Sequence, residues 1–302
     1  MTDVEIRPLD PDRDAQDVVE LVHQVFPVTT TTVESWRQQF AHIPERARHA
    51  GWAAVVDGKL IARAEASLNW FSETHSAFAG VSVHEAFRRQ GVGGRLWELA
   101  SAHLDELAPT RVLTMFTETD EAVRFARARG FAEARAESMS CVDPRTVDLS
   151  PLDSAHAELV PLGELDPREV YEVDMAVTAD VPMTDDVTDI RYEEWLDTIW
   201  RRPTITLDGS FAAIDDGKVV CITVLAANLE VGRALNEHTG TLRSHRGRGL
   251  AFLVKLAALR WAAASGVTAV WTMNDETNAP MLAVNRRLGY EPRLRRVEYL
   301  RE

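Results

Sequence analysis

The chain carries the same series of landmarks twice, in the same order. Three landmarks recur at an offset of 158 or 159 residues, and a shorter one near the start recurs at 153. The pairs are Trp52–Lys59 with Phe211–Lys218, Arg88–Gly93 with Arg246–Ala251, Ala128–Phe131 with Arg287–Tyr290, and Glu5–Leu9 with Glu158–Leu162. A period this long indicates a duplicated domain, because the repeats of a solenoid are much shorter.

The repeat divides the 302 residues into two parts of ordinary domain size. We predict an N-terminal domain over 1–143 (copy one), a linker over 144–154 and a C-terminal domain over 155–302 (copy two). The linker contains Pro144 and Pro151 and few apolar residues.

The net charge is −14, divided equally between 1–150 and 151–302. It argues against nucleic acid or a membrane as a partner and is compatible with a cationic substrate. Cys141 and Cys221 show no metal or disulfide spacing, so we expect reduced core cysteines and no metal. The N-terminus lacks an apolar signal core, and the longest apolar run, Val219–Ala227, is too short to span a bilayer. We therefore expect a soluble cytoplasmic protein.

Strand-like and helix-like segments alternate in both copies, which predicts two α/β domains, each with a mixed sheet. The dipeptides Asp57-Gly58 and Asp216-Gly217 each separate two apolar runs and predict a β-hairpin. Helices are predicted over Gly93–Leu107 and Gly249–Ser265, directly after a glycine-containing turn.

That turn has the pattern Arg-x-x-Gly-x-Gly/Ala in both copies and lies between a strand and a helix. Glycines permit a tight backbone and leave N–H groups exposed at a helix N-terminus, where the helix dipole favours an anion. A pyrophosphate suits such a site, and a plain strand-to-helix connection is the alternative. The Rossmann pattern and the Gly-Lys-Ser/Thr of a P-loop are absent.

The order of these motifs resembles the GNAT superfamily of acetyl-CoA-dependent N-acetyltransferases. The resemblance is carried by Val81–Leu96 with Gly130-Phe131, and by Thr239–Ala251 with Asn274–Tyr290. It covers nearly the whole chain and implies two tandem GNAT-like domains, each a mixed, mostly antiparallel splayed sheet flanked by helices. It also implies that the pantetheine arm of acetyl-CoA lies between two separating strands and that the turn holds the pyrophosphate.

The resemblance carries the acetyl-CoA contacts onto two sets of residues. In copy two they are Thr239, Thr241, Arg246, Gly247, Arg248, Gly249, Leu250, Ala251, Asn274, Asn278 and Asn285. In copy one they are Val81, Val83, Arg88, Arg89, Gln90, Gly91, Val92, Gly93 and Gly94. For Asn278, a helix cap is an alternative role that is compatible with cofactor binding.

A general base is useful in this reaction, because an alkylammonium must lose a proton before it attacks a thioester. Strand alternation predicts that Glu237, Thr239 and Thr241 share one face, so Glu237 is the candidate base and Glu230 the weaker one. A solvated carboxylate at a strand end is the alternative. The corresponding face of copy one offers only alanine and valine. Many family members place a tyrosine acid where this chain has Ala126 and Asn285, so side-chain acid catalysis is in doubt in both copies.

Three aspartates of copy two, Asp180, Asp185 and Asp186, fall where the family forms its acceptor site, and they are predicted to bind an amine. A solvated acidic loop is the alternative. The histidines at 84, 238 and 245 have no sequence spacing that indicates a catalytic pair.

Two functions follow from the sequence. The first is transfer of an acetyl group from acetyl-CoA to a primary amine of a small molecule or peptide in copy two, with copy one as a degenerate partner that can still hold acetyl-CoA. The second is a non-catalytic acetyl-CoA-binding regulatory or scaffold protein. The chain is expected to be a monomer, with its two copies forming an intrachain pseudo-dimer, or a homodimer.

Overall fold

The computed structural model describes residues 4–72, 74–181, 184 and 190–302. Unit 1 comprises 4–136, 184 and 296–302 of these residues, and unit 2 comprises 137–181 and 190–295. Each unit is an α/β domain with a mostly antiparallel sheet, as the family resemblance implies. The predicted linker, 144–154, belongs to unit 2, where Val147, Leu149 and Leu152 pack against its core.

Unit 1 has the strand order β1-β2-β3-β4-β5, followed by the end of the last strand of the chain, β12 (Glu291–Arg301). The strands are β1 (Glu5–Pro8), β2 (Ala50–Val56), β3 (Lys59–Leu68), β4 (Ser76–Val83) and β5 (Arg111–Thr117), and the helices are α1 (Ala15–Val25), α2 (Val33–Ala41), α3 (Val92–Leu107) and α4 (Asp120–Arg127). α3 packs on one face of the sheet, and α1 and α2 pack on the other. A reciprocal capping box formed by Thr32 and Ser35 begins α2.

Unit 2 has the same plan. Its elements are the end of β6 (Ala132–Val142), β7 (Glu158–Pro161), α5 (Pro167–Thr178), α6 (Tyr192–Trp195, continued by a π-helical turn over Leu196–Trp200), β8 (Phe211–Asp215), β9 (Lys218–Asn228), β10 (Arg233–Thr241), α7 (Leu250–Ala264), β11 (Ala269–Asp275), α8 (Ala279–Arg287) and the start of β12. The strand order is β6-β11-β10-β9-β8-β7. α7 packs on one face, and α5 and α6 pack on the other.

Each unit is completed by a strand segment from the other sequence copy. Residues 137–142 of β6 pair antiparallel with β11 in unit 2, and residues 296–301 of β12 pair antiparallel with β5 in unit 1. Val297 and Tyr299 are fully buried in the core of unit 1. The two copies therefore exchange the ends of their last strands.

Both cysteines are free thiols, and burial raises the pKa of Cys221 to about 12. Among the described residues, no group of three or more His, Cys, Asp or Glu side chains is arranged to hold a metal ion. The helices in the described part of the chain are too short or too polar to cross a bilayer.

Candidate active site

Each unit contains a pair of parallel strands that separate. β4 and β5 are paired only from Ser76 to Phe78, and β10 and β11 only from Arg233 to Asn236. Beyond these residues β4 and β10 continue along β3 and β9, while the gap to the parallel neighbour opens. Each unit thus has a cleft between two strands, with its apex at the last paired residues, and an extended ligand can enter it.

The glycine-containing turn follows the separating strand in both units. Gly91 and Gly249, both left-handed at φ 83° and 76°, immediately precede the first turns of α3 and α7. The first N–H groups of a helix have no partner within the helix, so they can bind an anion. A Cβ built on Gly249 would meet no atom within 4 Å, which leaves open space over this N-terminus. The turn therefore fits a pyrophosphate.

An arginine of each turn forms a hydrogen bond with the last residue of the preceding strand. Arg88 Nε donates to the Val83 carbonyl at 3.1 Å, and Arg246 Nε donates to the Thr241 carbonyl at 3.1 Å. The turns differ at the next position, where copy one places Arg89 at φ 63° and copy two places Gly247 at φ 78°. Copy one therefore carries a non-glycine residue in the left-handed region.

The predicted acetyl-CoA residues come together around the two clefts. In unit 1, Val81 and Val83 lie on β4, Arg88 to Gly91 form the turn, and Val92 to Gly94 begin α3. In unit 2, Thr239 and Thr241 lie on β10, Arg246 to Gly249 form the turn, and Leu250 and Ala251 begin α7. Asn274 lies near the end of β11. Asn274 Oδ1 accepts from Asn285 Nδ2 at 2.6 Å. Asn285 Oδ1 is buried without a hydrogen-bond partner in the structure. Asn278 also caps α8, accepting from the Met281 N–H at 3.3 Å.

A β-bulge in β10 changes the predicted placement of Glu237. The register against β9 shifts between Asn236 and His238, so Glu237 is an extra residue. Strict alternation predicted Glu237 on the face of Thr239, but Asn236 takes that place and accepts from Thr239 Oγ1 at 2.9 Å. Glu237 forms an ion pair with Arg202. One inserted residue reverses the alternation of faces, which sequence periodicity does not detect.

A continuous polar network lies at the apex of the unit 2 cleft. Asn236 Nδ2 donates to Thr223 Oγ1 at 2.7 Å, and Thr223 Oγ1 lies 2.8 Å from Thr239 Oγ1. The Lys255 ammonium donates to Asn236 Oδ1 at 2.6 Å and lies 3.4 Å from Thr272 Oγ1. Sequence analysis missed Lys255, although a signal existed: it is a single charged residue within an otherwise apolar stretch of α7.

The corresponding positions of copy one are largely apolar. Aligned through the strand registers and the two turns, Asn236 corresponds to Ala79, Thr223 to Ala64 and Thr239 to Val81, Lys255 to Trp97, Asn274 to Phe116 and Asn285 to Ala126. Trp97 packs edge-on against Phe131, with ring centroids 5.7 Å apart. β4 pairs with β3 without a bulge, so Glu237 has no counterpart.

His238, for which sequence spacing offered no partner, is paired with Asp174 of α5. His238 Nδ1 lies 2.5 Å from Asp174 Oδ1, and Trp195 Nε1 donates to the other carboxylate oxygen at 2.7 Å. Asp174 is 3% exposed, whereas a quarter of the His238 side chain is exposed. When Nδ1 carries the proton toward Asp174, Nε2 keeps a lone pair and can accept a proton. The 64-residue separation hid this pair from the sequence analysis.

The predicted acceptor aspartates have different positions. Asp180 forms ion pairs with Arg243 and Arg246, and these guanidinium groups hold its pKa well below the usual range. Arg248 Nη1 lies 2.7 Å from Asp215. Carboxylates thus hold the arginines of the turn in unit 2. Asp185 and Asp186 lie outside the described residues.

Comparisons of the chain with known protein families and solved structures agree with this geometry. The sequence model of the acetyltransferase (GNAT) family matches residues 15–131 and 157–290. No curated protein gives a significant match. A solved tandem GNAT protein from the clavulanic acid biosynthesis pathway is 22% identical, with a TM-score of 0.75 over 99% of this chain and 98% of its own.

Two further solved structures share the fold. A GCN5-related N-acetyltransferase from Sphaerobacter thermophilus is 19% identical, with a TM-score of 0.70 over 99% of this chain and 95% of its own. Saccharomyces cerevisiae N-myristoyltransferase with bound myristoyl-CoA is 12% identical, with a TM-score of 0.65 over 99% of this chain and 78% of its own. The predicted family and fold class are confirmed: the chain is a tandem-domain member of the GNAT family of acetyltransferases.

Proposed function

We propose that copy two transfers an acetyl group from acetyl-CoA to a primary amine. The observation that carries this proposal is the polar network at the apex of the unit 2 cleft, whose counterpart in copy one is largely apolar. A buried polar network costs desolvation free energy unless its members are satisfied, so it is unexpected in a purely structural core. The inserted Glu237, whose carboxylate is paired with Arg202, follows the last residue of β10 that pairs with β11.

Acetyl-CoA is expected to bind along the separating strand and the turn. The N–H groups at the start of α7 face open space beside Gly249 and are suited to the pyrophosphate. Thr239 and Thr241 offer backbone groups of β10 to pantetheine, beyond the point where β11 separates. Asn285 offers a buried acceptor oxygen that has no hydrogen-bond partner among the described residues. These features fit the cosubstrate that the family uses.

The reaction is direct transfer. The amine nitrogen attacks the thioester carbonyl, the C–S bond breaks with its electron pair on sulfur, and the amine loses a proton. We propose Glu237 as the acceptor of that proton, because it projects from the bulge at which β10 leaves β11. His238 is the second candidate, since Asp174 can orient its imidazole.

The acceptor is proposed to be cationic before it reacts. The chain carries a net charge of −14, which favours the approach of an amine over that of an anionic substrate. The amine is a small molecule or the amino group of a peptide. Asp180, Asp185 and Asp186 remain proposed contacts to it, and the ion pairs of Asp180 give that residue a second role in holding the turn.

The competing proposal is a protein that binds acetyl-CoA without turnover, favoured by Ala126 and Asn285 at the positions of the family tyrosine. A thiol-release assay over a panel of polyamines, aminoglycosides, amino acids and peptides separates the two. Calorimetry with acetyl-CoA is the parallel binding measurement. The proposed function predicts sustained CoA release with at least one class of amine and a mass increase of one acetyl group in that amine. Tight binding without release across the panel would support the binder.

A further inference from the structure

Lys255 is a buried ammonium within an apolar helix. It is 2% exposed, and its neighbours on α7 include Val254 and Leu256, which are fully buried. None of the ion pairs among the described residues involves it, and burial alone lowers its pKa to about 7. An amine in such a site destabilises the fold whenever it is charged. Stability therefore does not explain why a lysine occupies this position.

The location of Lys255 suggests what the charge does. Asn236 and Thr272 are the last paired residues of β10 and β11, and the Lys255 ammonium reaches both of them. It therefore lies at the apex of the cleft. In the proposed binding mode pantetheine occupies this cleft, which brings the thioester toward the ammonium.

We propose that Lys255 is a positioning residue that stabilises negative charge on the sulfur of CoA as the acetyl group leaves. The inference rests on the proposed function. In the transfer step the C–S bond breaks and its electron pair stays on sulfur, while the amine proton passes to the base. Lys255 keeps its proton throughout and acts through its field and through the Asn236 amide. An ammonium in a low-dielectric site interacts strongly with a nearby anion.

This role accounts for two other observations. Ala126 and Asn285 occupy the positions where many relatives have an acidic tyrosine, so a thiolate stabilised by a neighbouring ammonium does not need that side chain. Copy one has Trp97 in place of Lys255, which agrees with a copy that performs no transfer.

The titratable groups around Lys255 do not change charge near neutral pH. Tyr290 follows α8, and its ring centroid lies 5.1 Å from the ammonium. Cys221 comes from β9 on the α7 side of the sheet, and Cys141, on β6, interacts electrostatically with Tyr290. Burial raises the pKa of all three groups, so they stay uncharged near neutral pH. Lys255 is therefore the group at the apex that titrates near neutral pH, and it meets the sulfur as a charged ammonium chiefly below about pH 7.

The test is the pKa of the CoA thiol when bound to the full chain, followed through the ultraviolet absorbance of the thiolate. In the wild-type protein we expect a value roughly one to three units below that of free CoA. Lys255→Met, which removes the charge, should return it to the free value. Lys255→Gln retains a hydrogen-bond donor for Asn236 and should also return it. Trp97→Met is the matched control in copy one and should leave the wild-type shift unchanged.

Kinetics supply the second readout. With acetyl-CoA, both Lys255 variants should lose at least about tenfold in kcat. The loss should shrink with an acetyl thioester whose thiol is more acidic, a dependence that a packing defect would not show. Circular dichroism and thermal unfolding establish that each variant is folded.

The outcomes separate the two proposals. A Lys255→Gln protein with the wild-type thiol pKa and wild-type kcat would overturn the role of the charge and leave acetyl transfer standing. A wild-type protein that lowers the thiol pKa through Lys255 but acetylates no amine would refute the proposed function and retain the inference about Lys255.

Discussion

The two copies share a backbone plan and differ in what lines their clefts. Both have parallel strands that separate after a few residues, a left-handed glycine before the helix, and an arginine Nε bonded to the last carbonyl of the strand. Even a β-bulge recurs, between Ala54 and Val55 in copy one and between Ala213 and Ile214 in copy two. Both copies thus retain these features of the backbone.

The linings have diverged. Copy two places Asn236 and Lys255 at the apex of its cleft and inserts Glu237, whereas the aligned positions of copy one are Ala79 and Trp97, which belong to or pack against its apolar core. Retention of a shared fold therefore does not imply retention of chemistry. The side chains at the apex distinguish the two copies, and the following experiments test that distinction.

The largest expected effect comes from valine at the last glycine of each turn. Gly249→Val should lower kcat/KM on the order of 100-fold, because a side chain there obstructs the approach of pyrophosphate to the N–H groups of α7. Gly91→Val is the matched variant, since both glycines have positive φ and neither Cβ would meet protein atoms within 4 Å. It should affect stability or regulation more than turnover. Steady-state kinetics with one amine would reverse the assignment of the copies if Gly91→Val lost more kcat while remaining folded.

The next largest effect on the rate is expected from Glu237, in the bulge of β10. Glu237→Gln preserves shape and removes basicity, and general-base catalysis contributes roughly 10²–10⁴-fold in rate. The loss should be greatest in kcat/KM near neutral pH and should shrink as pH rises, because more of the amine then arrives deprotonated. Glu230→Gln, in the turn between β9 and β10, is the control and should resemble wild type.

His238→Gln compares the second candidate with Glu237 in the same assay. If His238→Gln shows the pH-dependent loss and Glu237→Gln has wild-type kcat/KM at pH 7, the proton passes to His238. In that case Asp174→Asn, which removes the carboxylate beside Nδ1, should lower the rate as well.

A smaller effect concerns stability, where Lys255→Met should stabilise the fold. The pKa of Lys255 is lowered to about 7 in the folded chain from an ordinary value of 10.5. The folded state therefore binds fewer protons between these values, and wild-type stability rises with pH across that window. The advantage of the variant should be on the order of a few kcal/mol near pH 6 and should shrink toward pH 10. Urea unfolding at several pH values measures it; a constant difference would contradict the pKa shift.

The smallest expected effect is on the free energy of unfolding, and it comes from the residue that differs between the two glycine-containing turns. Arg89 has φ 63° where copy two has Gly247, so Arg89→Gly should raise the free energy of unfolding of unit 1 by up to about 1 kcal/mol. Gly247→Arg should destabilise unit 2 by a similar amount. Thermal unfolding of both variants checks the pair, and a destabilised Arg89→Gly would show that the Arg89 side chain makes a compensating contact.

The sequence alone determined the features that rest on local patterns. Both Asp-Gly hairpins and the predicted helix after each turn are present. Turn residues, periodic apolar positions and glycine-containing connections act over a few residues, so a single chain displays them. The repeat showed which segments of the two copies correspond, and the resemblance indicated the family.

Only the tertiary structure decided how distant residues meet. The exchange of the ends of β6 and β12 depends on which edge strand each segment meets, and no local signal encodes that choice. The bulge at Glu237 shifts the strand by one residue and moves each following side chain to the opposite face from the one alternation predicts. Asp174 and His238 are separated by 64 residues in the chain and meet because α5 packs on β10. Lys255 acquires its surroundings in the same way, because the burial and partners of a charged side chain are products of packing.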